Sequence, residues 1–186
     1  MKIKNRSTIL SVLVGILSLG MTSSVFASGN MHKHHGSKMK VEGKRTSVNQ
    51  KDKKQILAVF QANEGLHSSF FKFDAKKVNV ESRKVVEAIA NIENKDIKKL
   101  LTFAEKKLVE MSSLKSQEDL NKNYNLVSMA LIHVMKSYDI GKEYNAYSCP
   151  MVKKKWVQNS SKMGKVHNPY ASNMPHCGSQ DTKFGG

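Results

Sequence analysis

The chain reads as all-α: an up-and-down four-helix bundle followed by a loop-rich C-terminal lobe. Apolar residues between positions 50 and 141 recur at steps of three and four, the spacing that keeps them on one helical face. The patterned segments are joined by short polar connections, which make consecutive helices antiparallel neighbours. After Gly141 the character changes, because residues 144–178 hold all 3 prolines, both of the 2 cysteines and the 1 tryptophan. No strand alternation, phosphate-cradling glycine loop or internal repeat competes with this reading.

The first element is a secretory signal. Lys2, Lys4 and Arg6 precede an uncharged run holding Ile9, Leu10, Val12, Leu13, Val14, Ile16, Leu17 and Leu19, and Val25-Phe26-Ala27 supplies the small-residue cleavage site. The alternative is a retained anchor. The uncharged stretch approaches the roughly 20 residues that span a bilayer, but Gly15, Gly20 and several serines dilute it. Removal of residues 1–27 is therefore expected, leaving an exported chain in the periplasm with no stable membrane insertion.

Residues 28–48 read as a flexible tail of Gly, Ser, Lys and His. Within it Met31, His32, His34, His35 and Met39 place imidazoles and thioethers close together, a tract suited to loose capture of Cu(II), Ni(II) or Zn(II).

The bundle is expected over residues 49–141. Its first helix runs over 50–73, with Ile56, Phe60, Asn63, His67 and Phe70 on one face. The second begins near Asp74 or Val80, carries Val85, Val86, Ala88, Ile89 and Ile92, and breaks at Glu93-Asn94. The third spans 94–111 on a stripe of Ile97, Leu100, Leu101, Ala104, Leu108 and Met111. Ser116 starts the fourth as N-cap, with Asp119 in its first turn. Leu120, Tyr124, Val127, Leu131, Val134 and Tyr138 then repeat the spacing until Gly141 can end the helix. Residues 142–180 form the lobe, and 181–186 are expected to be a disordered tail.

Lys and Arg number 31 against 15 Asp and Glu, a net charge of +16. The excess is scattered lysine, the pattern of a solvated surface. Only Arg45 and Arg83 remain beyond the signal, with no interleaved aromatics, so nucleic acid is not an expected partner. Nor is an enzyme expected. The acids are dispersed among lysines, and no G-x-S-x-G, HExxH or CxxC is present.

The chemistry-bearing residues cluster in the lobe: Cys149, Met151, Met163, His167, Met174, His176 and Cys177. Thiolate and thioether sulfur with imidazole suits Cu(I) far better than magnesium or calcium, and the methionines favour copper over zinc. Pro150 sets a turn holding Cys149 and Met151, and Pro175 sets another holding Met174, His176 and Cys177. If the turns meet, the donors converge. Met163 is read as a packing residue, and His167 as a partner of the backbone. Trp156 and Tyr170 are read as core plugs. His67, inward-facing with Phe60 and Phe70, is either a further ligand or a core histidine satisfied by a hydrogen bond. His133 lies beside the main stripe. In an oxidising compartment Cys149 and Cys177 can instead form a disulfide, and that alternative stays open.

The lobe also resembles the C-terminal signature of an uncharacterised family of exported bacterial domains. Its positions are Cys149-Pro150-Met151, Trp156, Asn168-Pro169-Tyr170, Met174 and Cys177-Gly178. LVSMALIHVMKSY at 126–138 is similar to the helix preceding that signature, and LHSSFFKFDAKKV at 66–78 to the first helix and turn. Such domains occur as free periplasmic proteins and fused to adaptor subunits of heavy-metal efflux systems of the resistance-nodulation-division type. The resemblance implies copper or silver handling with an efflux adaptor as partner.

Together these readings lead to a periplasmic Cu(I) carrier or sequestering protein. Its expected ligands are Cys149, Met151, Met174 and Cys177, with His176 or His67 added. Two alternatives remain: a disulfide-stapled structural or interaction module of the envelope with a basic surface and no cofactor, and a Cys/His/Met redox copper protein.

Overall fold

The computed structural model describes residues 44–184, and the signal and most of the expected tail, including Met31, His32, His34, His35 and Met39, lie outside them. Four helices come first: α1 Gln50–Ser69, α2 Ala75–Ala90, α3 Lys95–Met111 and α4 Gln117–Ser137. Each begins on a side-chain cap, Asn49, Asp74, Asn94 and Ser116 in turn, whose oxygen accepts from a backbone N–H of the first turn. Consecutive helices pack on one another, and the predicted stripes are the buried faces. Ile56, Phe60, Asn63, His67 and Phe70 of the first stripe are all buried. Across the core Phe70 stacks on Tyr124 with ring centres 4.8 Å apart. Tyr124 also donates its hydroxyl to Asn63 Oδ1 at 3.3 Å, so that buried amide oxygen is satisfied.

The chain is mostly helical but not all-α, which corrects the expected class. The lobe carries a three-stranded antiparallel sheet of β1 Tyr144–Cys149, β2 Lys154–Asn159 and β3 Ser179–Gln180, in the order β2-β1-β3. The reason these strands escape a periodicity reading is burial on both faces. All of β1 but Ser148 is buried, as are the last four residues of β2, so no alternation of apolar and polar residues is written into them. The hairpin turn is also unsignalled, because the residue with positive φ is Lys153 (52°) rather than Gly or Asn.

Three boundaries move for physical reasons. Residues 70–73 leave α1 as turns. The fourth helix ends at Ser137, before Gly141, because Tyr138 turns extended and bridges to Thr46. Thr46 N–H donates to Ser137 O and Asp139 N–H to Thr46 O, each at 2.8 Å. The expected tail therefore meets the body before residue 48. At the other end residues 181–184 are packed rather than disordered, since Thr182 and Phe184 are buried. Arg45 joins the two ends: it pairs with Asp139 at 2.9 Å, donates to Gly141 O at 3.1 Å and lies 4.0 Å above the Phe184 ring. Arg45→Ala is expected to lower stability by about 1–2 kcal/mol, measured by urea denaturation. An unchanged midpoint would show that these ends contribute nothing.

Among the described residues no helix is long and apolar enough to cross a membrane.

Candidate metal centre

The lobe packs against α4 and α1, and its own ladder creates the site. Ser148 of β1 pairs with Ser179 of β3, so the chain enters β3 through Cys177-Gly178 alongside the end of β1, where Cys149 lies. Gly178 makes that approach possible. Its φ is +143°, and a Cβ there would lie 2.7 Å from Trp156 Cη2 and 2.8 Å from Ser148 O.

The two thiols are free cysteines, Cys149 buried and Cys177 half-buried, close enough that each acts on the other's titration. Burial acts to raise the Cys149 thiol. The hydrogen bond from Cys177, the backbone N–H groups of Val152 and Met151, and the Asn168 side chain outweigh it, so Cys149 titrates below the ordinary cysteine value. Cys177 moves the other way. Its hydrogen bond to Cys149 raises it, and burial and the Cys149 charge add to the rise. The pair therefore favours one thiolate, on Cys149, with the proton kept on Cys177.

Turn geometry explains the donors. Pro150 starts the β1–β2 turn and presents the next two N–H groups to the sulfur that precedes them. Asn168, 2% exposed, is the hub of the second half. Its Oδ1 accepts from Tyr170 N–H at 2.9 Å, its Nδ2 donates to Cys177 O at 3.0 Å, and its own N–H donates to Pro175 O at 2.8 Å. Tyr170 in turn donates to Lys155 O at 2.8 Å and packs edge-on against Trp156, which is fully buried. Both rings are core plugs, as their sequence positions suggested.

The other expected ligands divide. The Met151 N–H acts on both thiols in the direction of thiolate, while the residue itself is 70% exposed. Met174 is half-buried, and its carbonyl accepts Cys177 N–H at 3.0 Å. His176 is exposed and donates from Nδ1 to Val166 O at 2.7 Å. His67 is buried and donates from Nε2 to His167 O at 2.8 Å, so that nitrogen is committed to the backbone of the lobe. His133 is exposed on α4. Among the described residues no three His, Cys, Asp or Glu side chains gather as a metal-binding group.

Sequence reasoning assigned no role to Asn168 and none to the Gly178 backbone. Asn followed by Pro is a turn former whose side chain bonds the backbone two residues on, and that signal was available for Asn168.

The buried His67 has a consequence for pH. Desolvation lowers its pKa from 6.5 to about 4, against the His167 carbonyl bond, which raises it. The unfolded chain takes up the proton first, so folding stability contributed by neutral His67 is full above pH 6.5 and is lost as pH falls toward 4. The loss is about 3 kcal/mol. His67→Gln keeps a donor without titrating, and its stability should change less with pH across that window. An equally steep slope in the variant would assign the acid sensitivity to other groups.

No family model, curated protein or solved structure matches the chain.

Proposed function

We propose that the chain is an exported copper-binding protein that takes Cu(I) as cargo between Cys149 and Cys177 and serves heavy-metal efflux in the periplasm. The observation that carries this reading is the thiol pair, with one sulfur held toward thiolate by the Met151 and Val152 amides and by Asn168. Thiolate is the form that ligates metal, and a soft two-sulfur donor set selects Cu(I) over hard cations. Met174 remains a thioether candidate through its place in the Cys177 turn, whereas His67 drops out because it is buried against Phe71 and the His167 carbonyl and is not among the groups acting on either thiol. In this reading the helices form an up-and-down bundle whose task is to hold the lobe, and the protein is not an enzyme. The link to an efflux adaptor rests on the signature resemblance alone.

A second reading rests on the same pair. Two neighbouring free thiols in an oxidising compartment are poised for a disulfide, and a stapled envelope module with a basic surface follows.

The test is an anaerobic Cu(I) titration of the reduced chain against a competing chelator. Stoichiometric uptake that disappears in Cys149→Ser or Cys177→Ser is the expected result, and folded reduced protein that takes up no copper would overturn it. A spectrum with Cu(II) separates the redox alternative, which requires intense visible thiolate bands.

A further inference from the structure

The Pro175 turn that carries Cys177 also brings two imidazoles together, His176 within it and His167 on the segment tied to it through Asn168. His167 and His176 have ring centres 5.7 Å apart and planes at 87°. With metal–nitrogen bonds of ~2.0–2.1 Å and a tetrahedral angle, two imidazoles on one ion have ring centres roughly 5 Å apart. The observed spacing of the two rings is close to that value.

We propose that His167 and His176 form a second metal site, which takes a borderline divalent ion such as Zn(II) through two imidazole nitrogens. His176 is already in the tautomer this requires. Its Nδ1–H donates to Val166 O at 2.7 Å, which orients the ring and leaves the Nε2 lone pair outside that bond on an exposed residue. His167 is fixed through its backbone on both sides. Its N–H donates to Gln158 Oε1 at 2.9 Å, and its carbonyl receives the buried His67 Nε2–H at 2.8 Å. Its ring leans on Phe71 with centres 5.3 Å apart. The Asn168 N–H to Pro175 O bond at 2.8 Å ties the strand of chain carrying His167 to the turn carrying His176. Pre-organisation of this kind is what a site on a loop otherwise lacks.

The imidazole pair and the thiol pair have separate surroundings. The groups acting on the Cys149 thiol are Cys177, Asn168 and the amides of Met151 and Val152, whereas the charges acting on His167 are those of His176 and Lys165. Two protein ligands leave positions for water or for a partner's donor, so the site exchanges its ion readily and suits loading or hand-over. Nothing in this requires the thiols to hold copper.

Zn(II) is titrated calorimetrically at neutral pH into the full reduced chain carrying His32→Gln, His34→Gln and His35→Gln, which silences the tail. Saturable binding is expected, with the ring-proton resonances of His167 and His176 shifting together. His176→Gln, an exposed change that leaves the fold intact, should weaken binding about tenfold or more, and His167→Gln likewise. Cys149→Ser combined with Cys177→Ser should leave it within about twofold. In the chain that also carries Cys149→Ser and Cys177→Ser, where the thiols take no Zn(II), binding that is absent or that survives both histidine changes overturns the proposal. Loss of Cu(I) uptake with Zn(II) binding intact would sink the copper reading and leave this one standing.

Discussion

Gly178→Ala is expected to unfold the C-terminal lobe and to take the thiol pair with it. At φ +143° an L side chain is strained whatever the space, and here there is none. The added Cβ would meet Trp156 Cη2 at 2.7 Å and Ser148 O at 2.8 Å. Neither can retreat. Trp156 is fully buried and stacked on Tyr147 with ring centres 6.0 Å apart, and Ser148 O belongs to the central strand. Backbone strain and overpacking each cost about 1–3 kcal/mol, so a combined loss of roughly 3–5 kcal/mol is expected. That is a large share of the roughly 5–15 kcal/mol that holds a domain of this size together. The fluorescence of the 1 tryptophan reports the transition directly in urea. A Gly178→Ala midpoint equal to wild type would show that the Cys-Gly pair has no steric role.

The second large effect is on copper. A ligand that binds only the folded chain stabilises it by about 2.7 kcal/mol at a free concentration 100 times its dissociation constant. Cu(I) should therefore raise the melting temperature of the reduced chain by on the order of 5–10 °C. Cys149→Ser and Cys177→Ser should abolish the rise, because each leaves a single thiol. Met174→Leu should lower it, and Met151→Leu should leave most of it, since Met151 serves the sulfurs through its amide from a 70% exposed position. If the chain works as a stapled module the pattern reverses: oxidation stabilises, reduction costs about 2–4 kcal/mol, and copper restores little. No copper-dependent shift in reduced, folded protein would decide for the stapled module.

Much of the helical half was legible in the sequence because its signals are local. Ser116 is the N-cap it was expected to be, and the stripe from Ile56 to Phe70 is the buried face of the first helix and the turn that follows it. The ends were less legible. Tyr138 leaves the helix for a bridge to Thr46, a contact between residues far apart in the chain, and no local rule announces it. His67 illustrates the same limit at the site. Periodicity put it inside, but whether its nitrogen met a metal or a carbonyl depended on where residue 167 came to rest.

The sequence by itself determined the helical repeat, the inward set of side chains and the stock of soft donors, because spacing and residue chemistry are properties of the chain. Only the tertiary structure decided which donors meet. The Ser148–Ser179 pairing brings Cys177 to Cys149, the Asn168 amide holds the Cys177 turn, and the Asn168 backbone bond to Pro175 sets His167 against His176. Those juxtapositions depend on strand register and on a glycine's close approach to Trp156, and both are fixed by packing between segments that share no local signal.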